Sequence, residues 1–144
     1  MMLKTILKLL ISSLLGCIFY LAIGWLIFDF ILGAYSEAHT TQIPCFKKEA
    51  DFSFNWLYLS CLAYSSLLTF MLHHTSISSA NKSFFFSAVL GVFVACMTDF
   101  YWLASSHFYH NLTVVFLDNI GAAVSVGSLG LVTCLMLKKI KSAS

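Results

Sequence analysis

The chain has 144 residues, of which 60% are hydrophobic and only 10% charged, with a formal net charge of +2. Soluble domains carry roughly 45–50% apolar and about 25% charged residues, so a chain this small cannot hide so much apolar surface from water, and lipid must take the excess. All eight basic residues are lysines, and without arginine's planar fork the composition excludes an arginine-based reader of phosphates or nucleic acid.

The first element is an apolar run from about Leu9 to Ile31, preceded by Lys4 and Lys8. The start looks like a secretory signal, with Leu14-Leu15-Gly16-Cys17 loosely like a lipoprotein cleavage site. Yet the run continues unbroken past Cys17, beyond the ~7–15 residues of a signal's apolar region, and a retained first span is expected. Residues 33–52 hold the only proline, Pro44, and no periodic apolar pattern, so they read as a loop. A second span covers Phe54 to Leu72, after which His73 and His74 read as solvated residues of the headgroup region. The third, FFFSAVLGVFVACMTDFYWLA, runs from Phe84 to Ala104, and the fourth from Leu112 to Leu137. Each approaches or exceeds the roughly 20 residues that cross a bilayer core, and each must be helical because unpaired backbone amides are too costly in lipid. The expectation is an all-α chain: a single polytopic domain over residues 1–144 forming a four-helix transmembrane bundle.

Cys17, Cys61, Cys96 and Cys134 fall inside apolar runs and Cys45 in the loop, with no C-x-x-C spacing, so packing residues are expected rather than disulfides or redox thiols. Two glycosylation patterns, Asn81-Lys82-Ser83 and Asn111-Leu112-Thr113, read as chance. Orientation follows from the lysines. Lys4, Lys8, Lys82, Lys138, Lys139 and Lys141 share one face, and only Lys47 and Lys48 lie on the other, which predicts both termini inside.

Ionisable residues within spans are costly and therefore the best functional clue. Asp29 lies near the outer end of the first span. Asp99 comes about five residues before the end of the third span and Asp118 about six after the start of the fourth, so the two lie at matched depth across a hairpin. Cys96, Ala95, Gly91 and Ala88 share Asp99's stripe, and Gly121, Ala122 and Ser125 share that of Asp118. Small residues of this kind let helices approach closely, so both carboxylates should face the bundle. Asn119 adjoins Asp118 in the same outer half, and Thr98 and Asn55 lie there too. Carboxylates so arranged can share a proton or hold a cation. They can equally serve as structural glue by accepting hydrogen bonds from Tyr101, Trp102 or Asn119. His107 and His110, three residues apart in the outer loop, fit one face of a turn and could join a transition-metal site, or simply belong to an interfacial loop.

Trp25, Phe28, Phe30, Phe54, Trp56, Tyr58, Tyr101, Trp102, Phe108 and Tyr109 cluster toward the outer side, as an interfacial aromatic belt does; a lipophilic pocket is the alternative. A second small-residue stripe on span four, Ala123, Gly127, Gly130 and Cys134, suggests a homo-oligomer contact. Neither a phosphate-cradling glycine loop nor an H-E-x-x-H motif occurs, no catalytic constellation can be assembled, and no cofactor is indicated. The stretch Gly24-Trp25-Leu26-Ile27-Phe28-Asp29-Phe30, with Thr98-Asp99 and Leu117-Asp118-Asn119, resembles a group of small bacterial four-span membrane proteins without an established activity. The resemblance implies a four-helix fold in a bacterial inner membrane and no particular chemistry. The sequence thus leads to two expectations. One is a module that binds or transports a proton, cation or small lipophilic ligand at an outward-facing pocket around Asp99, Asp118, Asn119 and Asp29. The other is a non-catalytic subunit that packs against partner membrane helices.

Overall fold

The computed structural model describes residues 2–41, 53–75 and 77–142. Pro44, Cys45, Lys47 and Lys48 lie outside the described residues, as do the side chains of Lys4 and Lys141. The chain forms α1 (Met2–Gly24), a π-helical segment (Trp25–Ile31), α2 (Gly33–His39), α3 (Phe54–His74), α4 (Ala80–Ser105) and α5 (Leu112–Ser142). Four helical stretches are long and apolar enough to cross a membrane: Thr5–Ile31, Phe54–His74, Ala80–Ser105 and Leu112–Lys139. The protein is an all-α, membrane-integral four-helix bundle.

The helices outrun the apolar runs of the sequence at the end where α1 begins and α5 finishes, hereafter the termini end. The first turns of α1 and the last of α5 carry lysines yet stay helical, since lysine is a good helix former and its ammonium needs only to reach the headgroup level. Gly33–His39 is helical as well, although the sequence offers no apolar periodicity there. The π-helical segment that joins α1 to α2 is a further departure from regularity. Such turns are rare and commonly re-aim side chains. Here the segment turns Ile27 and Phe28 onto α5, where a Cβ on Gly121 would lie 2.9 Å from the Phe28 ring and 3.1 Å from Ile27.

α5 is the hub of the bundle and its most buried helix. It packs along its length against α4 and less extensively against α1 and α3, while α1 also packs on α3. α3 and α4 do not pack closely against each other. The α4–α5 hairpin closes because small residues meet side chains or backbone of the facing helix. A Cβ on Gly91 would lie 2.8 Å from the Ala122 carbonyl, and one on Gly127 2.8 Å from the Phe84 ring. Gly130 backs onto Ser83 and Ser87, and the Ser83 hydroxyl donates to the Gly130 carbonyl at 2.7 Å. On the other side of the bundle the Ser65 hydroxyl donates to the Ser13 carbonyl at 2.9 Å, tying α3 to α1. Gly127, Gly130 and Cys134 are therefore covered within the chain, whereas Ala123, the remaining residue of this stripe, is partly exposed.

The centre is a cluster of Leu68, Leu72, Val126 and Leu129. Large apolar side chains cover the outside instead, as on α4, where Phe85, Phe93 and Met97 are about 70% exposed. Such a surface is stable only against lipid.

Candidate functional site

The end opposite the termini is held by a clip of backbone hydrogen bonds. Thr40 and Tyr109 form an antiparallel bridge, flanked by Thr41 N–H donating to the Phe108 carbonyl (2.7 Å) and His110 N–H to the His39 carbonyl (2.9 Å). The Thr41 hydroxyl donates to the His107 carbonyl at 2.8 Å and lies 3.0 Å from His110 Nε2. Asn111 caps α5 by accepting from Val114 N–H at 3.1 Å, an N-cap role that accounts for an asparagine at this position. The clip and the cap together fix the short α4–α5 loop, and with it Tyr109.

Tyr109, in sequence one of many belt aromatics with no signal to single it out, is the residue the structure adds to the site. Its hydroxyl donates to Asp99 Oδ1 at 2.6 Å. Asn119 Nδ2 donates to Asp99 Oδ2 at 2.7 Å and to the Val115 carbonyl at 2.8 Å. Cys96 donates its thiol to Asn119 Oδ1 at 2.9 Å. Asp99, only 2% exposed, is thus satisfied through both oxygens. The Tyr109 phenol lies outside the spans and is pushed well above its ordinary value of 10.0. Burial contributes most, followed by the hydrogen bond to Asp99 and the charges of Asp99 and Asp118.

Asp118 is treated differently. It is half-buried and close enough to Asp99 and to Tyr20 for their charges to interact, but no hydrogen bond joins its side chain to another described residue. Helical spacing puts it one turn above Ala122 and two above Val126 on α5. Those two residues floor a cleft of about 270 Å³, lined also by Tyr20, Ser60, Tyr64, Gly91, Val94 and Ala95. The cleft lies where α3 and α4 do not pack closely against each other, and its floor on α5 is buried. Tyr20 and Tyr64 stack along its wall with ring centroids 5.6 Å apart, and the Tyr64 hydroxyl is buried without a partner.

The sequence-derived candidates therefore separate. Asp99 and Asn119 are joined directly and Asp118 stands beside them. Asp29, in the π-helical segment, is exposed. His107 and His110 are exposed, and among the described residues no three His, Cys, Asp or Glu side chains converge to hold a metal ion. The matched depth of the aspartates was legible in the sequence; that Asn119, not Asp118, would meet Asp99 depended on the rotation of α5. No family model, no curated protein and no solved structure matches this chain, so its function must be argued from this geometry.

Proposed function

We propose that this protein is a membrane-embedded binding module for a small lipophilic cation. Asp118 receives the positive charge and the cleft beside α5 receives the apolar body. The observation that carries the reading is the contrast between Asp99, hydrogen-bonded through both oxygens, and Asp118, without a described hydrogen bond and one helical turn along α5 from Ala122, which lines a mainly apolar cleft. A carboxylate held among apolar residues is costly unless a counter-charge meets it. A monocation supplies that charge, and the faces of Tyr20 and Tyr64 supply cation–π attraction to a quaternary or protonated amine. The cleft volume is near the lower end of the ~300–1,000 Å³ typical of ligand sites, which favours a compact ligand. Val126 of the cleft floor belongs to the core cluster with Leu68 and Leu129, both fully buried, which favours binding over a continuous path.

The test uses benzyltrimethylammonium, whose charge does not titrate, against the full chain in nanodiscs. Saturable binding is expected, with little binding of its uncharged carbon isostere. Ala95→Leu, which fills the cleft, should abolish binding while the protein stays folded. Equal affinity for the charged and uncharged compounds would refute the carboxylate's role. Protonation of Asp118 competes with the cation, so affinity should fall on acidification.

The cleft's polar head is further proposed to face the outer side of a bacterial inner membrane, with both termini cytoplasmic. Support comes from six lysines on the termini side against two on the other. A reporter fused after Ser144 should be active only in its cytosolic form, and activity of the exported form would reverse the orientation. A second reading, a structural subunit packing against partner helices, is favoured by the saturation of Asp99, which suits a carboxylate that only locks a hairpin.

A further inference from the structure

The termini end holds a second cavity of about 330 Å³, independent of the cleft and of any role for Asp118. It is lined by Thr5, Lys8 and Leu9 of α1, Leu72 and His73 of α3, Ile77 and Ser78 of the α3–α4 turn, and Cys134, Leu137 and Lys138 of α5. Two lysines, a histidine, a threonine and a serine therefore line it from three helices and a turn. None of the lining residues is acidic. The described acidic residues, Asp29, Glu37, Asp99 and Asp118, lie toward the opposite end of the bundle, so lysines supply the charge of the lining. Its depth matches the membrane boundary, because Lys8 lies one turn inside the start of the first membrane-crossing stretch and Lys138 at the finish of the fourth. Leu9 lies one turn further in than Thr5, and Cys134 one turn further in than Lys138, so the polar rim gives way to an apolar floor.

We infer that this cavity is a binding site for the phosphate-bearing headgroup of an anionic phospholipid, held by Lys8 and Lys138 with Thr5, His73 and Ser78 as further hydrogen-bond donors. A rim of donors above an apolar floor matches an amphiphile, whereas a site for a soluble anion has no use for Leu9, Leu72 and Leu137. His73, read from the sequence as a solvated headgroup-region residue, becomes part of the rim because the last turn of α3 brings it beside α1 and α5.

The experiment measures the thermal stability of the full chain in phosphatidylcholine nanodiscs as phosphatidylglycerol is titrated in, beside a titration of inorganic phosphate into phosphatidylcholine nanodiscs. Phosphatidylglycerol should stabilise the parent saturably, and inorganic phosphate should not. With about 1 kcal/mol per lysine near an anionic surface, Lys8→Gln/Lys138→Gln should weaken the apparent lipid affinity on the order of thirty-fold. Lys82→Gln/Lys139→Gln removes the same charge at the same end but outside the lining, and should leave most of the effect. If the first double variant is unstable in phosphatidylcholine alone, Lys138→Gln, at an exposed residue, carries the test with a loss on the order of five-fold. Three results would each overturn the proposal: no stabilisation by phosphatidylglycerol, equal loss in both double variants, or full reproduction of the effect by inorganic phosphate.

Discussion

Helix α5 presents two faces that are built in opposite ways. Against α4 it packs through glycines, and its Asn119 donates to Asp99, which Tyr109 of the preceding loop also meets; toward the gap between α3 and α4 lies the cleft, and both Asp118 and the Tyr64 hydroxyl lack described partners. The α4–α5 hairpin thus carries one carboxylate, Asp99 of α4, as part of its packing and another, Asp118 of α5, outside it. In lipid, where no water offsets an unmet polar group, the face that is left unsatisfied is the face with room for a ligand.

The tight face can be broken most severely at Gly130. A Cβ there would collide with the Ser87 side chain and lie 2.8 Å from the Ser83 carbonyl, so Gly130→Ala should destabilise by about 2–3 kcal/mol. Gly24 has nothing within 4 Å of the same virtual atom, and Gly24→Ala should be neutral or stabilising by about 0.5–1 kcal/mol through helix propensity. Denaturant unfolding in mixed micelles checks both, and equal stabilities would mean that α4 and α5 are not in close contact. Next comes Asn119, which donates to Asp99 and to Val115 and accepts from Cys96. Asn119→Ala strips Asp99 of one donor and should cost about 1–3 kcal/mol by the same assay.

Much of this was legible in the sequence, because lipid imposes strict rules. Four apolar runs gave four helices, and the stripe through Gly91, Ala95 and Asp99 gave the close face of α4. What escaped had no periodic signature. The π-helical turn at Trp25–Ile31 is a local change of winding that apolar residues alone do not announce. The clip between Thr40 and Tyr109 pairs residues 69 positions apart within segments too short to show alternation. The cleft lies where α3 and α4 do not pack closely, and a pattern of apolar residues cannot distinguish a face that meets a helix from one that meets lipid or a ligand. The role of Tyr109 depends on the clip, since the fixed loop brings its hydroxyl to Asp99.

The two tyrosines sharpen the comparison with smaller effects. Tyr64 belongs to the open face and its hydroxyl has no partner, so Tyr64→Phe should raise the stability of the unliganded protein by up to about 1 kcal/mol. A loss of stability instead would show that the hydroxyl has an unseen partner. Tyr109 belongs to the closed face, and its folded-state pKa is raised above the ordinary 10.0. A raised value means that the folded state holds the proton more tightly than the unfolded state. The associated stability is complete below pH ~10 and is lost as pH rises through the elevated value. The parent should therefore lose stability more steeply above pH ~10 than Tyr109→Phe does, and parallel pH profiles would contradict a raised Tyr109 pKa.

The most direct test of the account crosses the two carboxylates with two readouts, thermal stability and benzyltrimethylammonium affinity, for the full chain in nanodiscs. Asp118→Asn should fall within about 0.5 kcal/mol of the parent in stability, because it breaks no described hydrogen bond, yet lose nearly all affinity. Asp99→Asn keeps the shape but weakens two charge-assisted hydrogen bonds, and should lose about 1–3 kcal/mol of stability while the folded fraction still binds. Retention of full affinity by Asp118→Asn, or a stability loss in it as large as that of Asp99→Asn, would contradict the division of labour between the two aspartates.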